Sequence, residues 1–197
     1  MENILKALKY MHSEGIIHRA INPSNILFRS HTDYGDIIIA DLSLAVYYNE
    51  DNKFHFKQCG VPGYLAPEVL FGWKFDYKID IFGAGALFYH LIMEKNLFDV
   101  NNINEIIKKN YGFKDLVKQD FDDKIVKINP LWIDLVEKML KRFPENRISA
   151  MEALENPVFI KDGSNNENEI YVKHEILETH VTIPTEGVSQ RNKLRDF

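Results

Sequence analysis

The chain has little cysteine: Cys59 is the only one in 197 residues. A lone thiol closes no intramolecular disulfide and builds no cysteine cluster for zinc, which fits a reducing compartment. Positive charge is not in surplus either, since 24 Lys and Arg stand against 29 Asp and Glu for a net charge of −5. That argues against a broad nucleic-acid-binding face and leaves room only for a local basic patch. No apolar run reaches the roughly 18 residues that a membrane span requires. The longest, Ile79 to Met93, carries Asp80 and His90. It predicts a helix that is apolar on all sides and buried in a core. Met1-Glu2-Asn3 is acidic and no apolar run follows it. No signal peptide is expected, and the expected location is the cytoplasm.

What is present is enough for a folded domain. Hydrophobic residues make up 45% of the chain, too many for global disorder. Ile4, Leu5, Leu8 and Met11 recur at helical spacing, so residues 3–13 predict an amphipathic helix, with Gly15 as its terminator. Ile26-Leu27-Phe28 and Ile37-Ile38-Ile39-Ala40 flank a polar tip and predict a hairpin over 26–40. Residues 46–58 show neither helical nor strand period and are expected to form a loop. Asn129-Pro130 opens a helix whose apolar face holds Trp132, Leu135, Val136, Met139 and Leu140. Ser149-x-x-Glu152 is a capping box for a further short helix, which Asn156-Pro157 ends. Residues 161–197 turn polar and charged and are expected to be a largely disordered tail after a 1–160 domain.

Three segments carry chemistry. The first is Ile16-Ile17-His18-Arg19-Ala20-Ile21-Asn22-Pro23-Ser24-Asn25-Ile26-Leu27-Phe28, a polar turn between apolar flanks. The second is Asp41-Leu42-Ser43, directly after a β-branched strand. The third is Cys59-Gly60-Val61-Pro62-Gly63-Tyr64-Leu65-Ala66-Pro67-Glu68. Together they resemble the catalytic loop, the D-F-G motif and the A-P-E segment of serine/threonine protein kinases of the calcium/calmodulin-dependent kind. The resemblance covers about residues 3–160. It implies a mainly α fold with a small β-hairpin, equivalent to the C-terminal lobe of a kinase, with the N-terminal lobe absent.

The resemblance assigns roles residue by residue. His18 and Arg19 are the catalytic-loop framework. Asn25 and Asp41 are the positions that hold magnesium against nucleotide phosphates. Asp80 braces the loop from below, and Glu68 forms a buried ion pair with Arg147. Departures fall at the reacting centre. Ala20 stands where the family has the aspartate that takes the substrate proton, and Asn22 where it has a lysine. Val61 replaces a threonine that bonds to both, and Ser43 replaces a glycine. Emptying a buried polar cluster together strands no partner, whereas removing one member costs about 1–3 kcal/mol. No catalytic residue is therefore expected. The expectation is an inactive kinase-like domain that binds a protein partner, with ATP and Mg2+ implied by the family but not expected to be used. The alternative is a serine/threonine protein kinase that transfers phosphate from ATP, present here as a fragment or needing an N-terminal lobe from elsewhere.

Residues 46–58 occupy the activation-loop position and contain no Ser or Thr, which leaves Tyr47, Tyr48 and the bordering Ser43 as phosphate acceptors. Arg19 would be the phosphate's partner. Two other pairings carry less. Cys59 with His55 lacks an oxyanion feature, and His90 with Glu94 lacks a third metal ligand.

Overall fold

The computed structural model describes residues 1–30, 32–33, 35–48, 59–98, 106, 117, 120–121 and 128–160. By packing, the chain divides into Met1–Asn166 and Glu167–Phe197. The second unit, with the whole expected tail, lies outside the described residues, as does 49–58 of the expected activation loop.

Helix α1 spans Glu2–Ser13 and buries Ile4, Leu5 and Leu8, the stripe that the spacing predicts. Gly15 follows its end at φ +71°, a left-handed turn that suits glycine. Strand β1 (Ile16–Ile17) leads into the polar turn. Strands β2 (Ile26–Phe28) and β3 (Ile37–Ile39) form the expected hairpin, with Leu27 opposite Ile38. Strand β4 (Val46–Tyr47) corrects one expectation, because it pairs antiparallel with β1. Two residues bonded to a partner thirty positions away leave no local periodicity, so this pairing is invisible in the sequence.

Helices α2 (Pro67–Leu70) and α3 (Lys78–Met93) follow. Helix α3 is the molecule's axis. Ile81, Phe82, Ala84, Ala86, Phe88 and Tyr89 are wholly buried in it. Burial on every side is what its uniformly apolar sequence demands. Gly83 lets it press against the polar turn, since a Cβ there would sit 3.0 Å from the Ile21 carbonyl oxygen. The Tyr89 hydroxyl donates to Asp120, which also takes Lys95 Nζ at 2.7 Å. Helix α4 (Pro130–Met139) packs Leu135, Val136 and Met139 into the same core, and Asn129 caps it by accepting from Leu131 N–H. Helix α5 (Ala150–Leu154) carries both halves of the Ser149–Glu152 capping box and lies against α1.

Candidate functional site around the 18–25 turn

Asp80, on the first turn of α3, organises the turn from beneath. It is 1% exposed. Its Oδ2 accepts His18 N–H at 2.8 Å and His12 Nε2 at 3.0 Å, and its Oδ1 accepts Arg19 N–H at 2.8 Å. Arg19 sits at φ +70°. A left-handed backbone on such a residue costs about 1–2 kcal/mol. The charge-assisted bond from its N–H to Asp80 offsets that cost. His18 is fully buried and spans two bonds, accepting Ala20 N–H at Nδ1 (3.2 Å) and donating from Nε2 to the Ala40 carbonyl (3.0 Å). Those partners define its tautomer and tie the turn to the end of β3.

His12 is the residue that sequence reasoning missed. It lies on α1, 68 positions from Asp80, with its side chain 8% exposed. Its ring also packs on Tyr77 at 5.3 Å. Its only sequence signal is its place on the face of α1 just past Leu8 and Met11.

Above Asp80 the turn closes on itself. The Ala20 carbonyl accepts two amides, Asn22 Nδ2 and Asn25 Nδ2, each at 2.9 Å. Asn22 also accepts Ser24 N–H at 3.0 Å, capping the 3-10 turn Pro23–Asn25. It is 4% exposed, and both ends of its amide are used. Ala20 itself is buried and presents only a methyl group. Val61 departs from the expected buried cluster. It is 46% exposed, on the rim of the turn rather than beneath it. Gly60, at φ +116°, brings the Cys59 segment against the Arg19 backbone. A cavity of about 20 Å3 lies between Arg19, Ala20, Val61, Tyr64 and Asp80. That is room for about one water molecule.

Arg19 extends its guanidinium to Cys59 Sγ (2.6 Å) and the Leu44 carbonyl (3.4 Å) and lies over the Phe75 ring. It thereby joins the two ends of the segment that contains residues 49–58.

Asp41 is exposed and sits at φ +62° as the cap of a second 3-10 turn, Leu42–Leu44. The hydroxyl of Ser43 and then its N–H bond to the Asp41 carboxylate and hold its pKa below the usual range. The bond from Ala40 N–H to the Asn25 carbonyl, 2.8 Å, brings Asp41 beside Asn25 in the chain framework. Among the described residues, Asp41 Oδ2 and Asn25 Oδ1 accept no hydrogen bond. Hard oxygen donors of this kind fit magnesium, which takes few ligands from protein and the rest from phosphate and water. These two atoms would hold such an ion, whose charge would neutralise phosphate oxygens.

Glu68 and Arg147 meet beside the first turn of α3. Arg147 Nη1 to Glu68 Oε1 is 2.7 Å and Nη2 to Oε2 is 3.0 Å, and each residue is 1% exposed. Arg147 further donates to the carbonyls of Lys141, Lys78 and Arg142 and lies over the Phe82 ring. His90 and Glu94 meet only through the backbone, where Glu94 N–H closes the end of α3 on the His90 carbonyl. His55 lies outside the described residues.

Among the described residues, no helix is long and apolar enough to cross a membrane. Comparison with known proteins gives the family. The chain is 31% identical over 163 residues to calcium/calmodulin-dependent protein kinase type I of Schizosaccharomyces pombe, covering 80% of this chain and 46% of that protein. It is 34% identical over 165 residues to calcium-dependent protein kinase 3 of Plasmodium yoelii yoelii, covering 82% and 29%. It is 29% identical over 191 residues to serine/threonine-protein kinase PLK4 of Xenopus tropicalis, covering 94% and 19%. The chain thus spans less than half the length of each of these relatives. The protein kinase domain family matches residues 1–159. With that match over most of its length, the chain belongs to the protein kinase family.

Proposed function

We propose that this chain is a kinase-like binding module equivalent to the large lobe, and that it does not transfer phosphate. One observation carries the reading. Where the motif would put a proton-accepting carboxylate there is the Ala20 methyl, and the amides of Asn22 and Asn25 are spent on the Ala20 carbonyl. Asn22 brings no positive charge to a phosphoryl group, and its amide is turned to the Ala20 carbonyl and the Ser24 N–H. Phosphoryl transfer rests on positioning and charge stabilisation, and this turn supplies neither base nor cation at the reacting centre. A protein-binding role is supported by the hairpin. Leu27 and its pairing partner Ile38 lie opposite each other across it and are 48% and 36% exposed.

The second reading, a serine/threonine kinase that keeps residual activity, is favoured by the open oxygens of Asp41 and Asn25. Purified chain with labelled ATP and Mg2+ or Mn2+ separates the two. Transfer at the level of Asp41→Ala supports the binding module. Transfer by the unaltered chain that disappears in Asp41→Ala overturns it. A triple variant, Ala20→Asp with Asn22→Lys and Val61→Thr, asks whether the replaced side chains are what is missing.

A further inference from the structure

Ser43 occupies a position where the kinase motif has glycine, and its hydroxyl is used. Ser43 Oγ donates to Asp41 Oδ1 at 2.6 Å, and Ser43 N–H donates to the same oxygen at 3.2 Å. One residue therefore places two donors on one carboxylate oxygen. The carboxylate is held in place for this by the left-handed backbone of Asp41. Oδ2 is left as its one open oxygen among the described residues.

We propose that Ser43 withholds Asp41 from divalent cations, so that its hydroxyl lowers the metal affinity of this turn. A cation that takes Oδ1 must displace a short, charge-assisted hydrogen bond. A cation that takes only Oδ2 meets a carboxylate whose charge is already drawn toward the serine. Glycine or alanine would leave the N–H in place and remove the stronger donor. Asn25 is the other oxygen donor at the site, and its amide nitrogen is anchored on Ala20. Removing the hydroxyl frees Asp41 without loosening Asn25. The inference rests on the reading of Asp41 and Asn25 as the remaining metal ligands, and it adds a second departure from catalysis that is independent of Ala20.

The test is a titration of the isotope-labelled full chain with MnCl2, followed by paramagnetic broadening of the Asn25, Asp41 and Leu42 amide signals. Ser43→Ala should reach half-broadening at several-fold lower Mn2+ than the unaltered chain. Ser43→Thr, which keeps a hydroxyl, should match the unaltered chain, and Asp41→Asn should abolish the response. Equal broadening in the unaltered chain and Ser43→Ala, weaker broadening in Ser43→Ala, or none in either overturns the proposal. Phosphate transfer by the unaltered chain is a separate measurement and bears on the inactive reading instead.

Discussion

The Glu68–Arg147 pair and the Asp41–Ser43 pair are both carboxylates held by close donors, and they sit at opposite extremes of solvent access. Below, the carboxylate and guanidinium are buried, and the guanidinium also satisfies three backbone carbonyls. Above, the carboxylate is exposed and, among the described residues, bonded only within its own turn. In the buried site each group depends on all the others, so any single replacement strands a charge or a carbonyl. At the exposed site water substitutes for whatever is removed. This difference explains how a kinase scaffold can persist beneath a rim whose residue types have changed.

Five substitutions, one of them followed against pH, probe that contrast. The largest effect is expected at Arg147. Arg147→Ala leaves Glu68 buried without its counter-charge and should cost about 3–5 kcal/mol in urea unfolding. Replacing both partners by apolar residues should recover only part of this, because the Lys78, Lys141 and Arg142 carbonyls would stay orphaned. Full recovery would mean that the carbonyl bonds contribute nothing.

Asp80→Asn comes next. The amide keeps one acceptor but turns an N–H toward donors that need a lone pair. Stranding one such buried donor should cost about 2 kcal/mol. Amide exchange at His18 and Arg19 should rise more than exchange in the centre of α3. A uniform rise would place the damage in the core rather than in the turn.

Asn22→Ala should cost about 1 kcal/mol, the value of a lost cap bond. The Ser24 amide should lose exchange protection while the Glu68–Arg147 region is unchanged. An unaltered Ser24 exchange rate would remove Asn22 from its capping role.

Asp41 gives a smaller, pH-dependent signal. Its folded pKa lies below the unfolded value, so its contribution is complete above the unfolded pKa and is lost as pH falls through the folded one. Thermal unfolding of Ser43→Ala should lose part of that acid-side slope, and an identical slope would show that the hydroxyl bond is not formed in solution. Val61→Thr should be the mildest change, within about 0.5 kcal/mol, because the side chain is on the rim. A loss comparable with that of Asp80→Asn would show that the rim is coupled to the buried base after all.

Local features were the most legible. The stripe of α1, the apolar run of α3, the Asn129 cap and the Ser149–Glu152 box are each set by residues within a turn of one another. Their elements begin and end where those side chains dictate. The motifs also named Glu68 with Arg147 and placed Asp80 under the turn. The pairing of β4 with β1, the His12 bond to Asp80, the exposure of Val61 and the double bond of Ser43 to Asp41 were not legible. The first two join distant positions, and the last two depend on the backbone angles of the turn.

The amino-acid order alone determined which stretches become helix or hairpin and which residue types stand at the positions of the kinase motifs. Both follow from short-range periodicity, capping and residue identity. Only the packed chain decided that His12 and the 18–19 backbone would share one buried aspartate, and that two asparagines would close on one carbonyl. The reason is that a buried polar atom takes whatever partner the surrounding packing brings within about 3 Å, and that partner is set by the path of the whole chain.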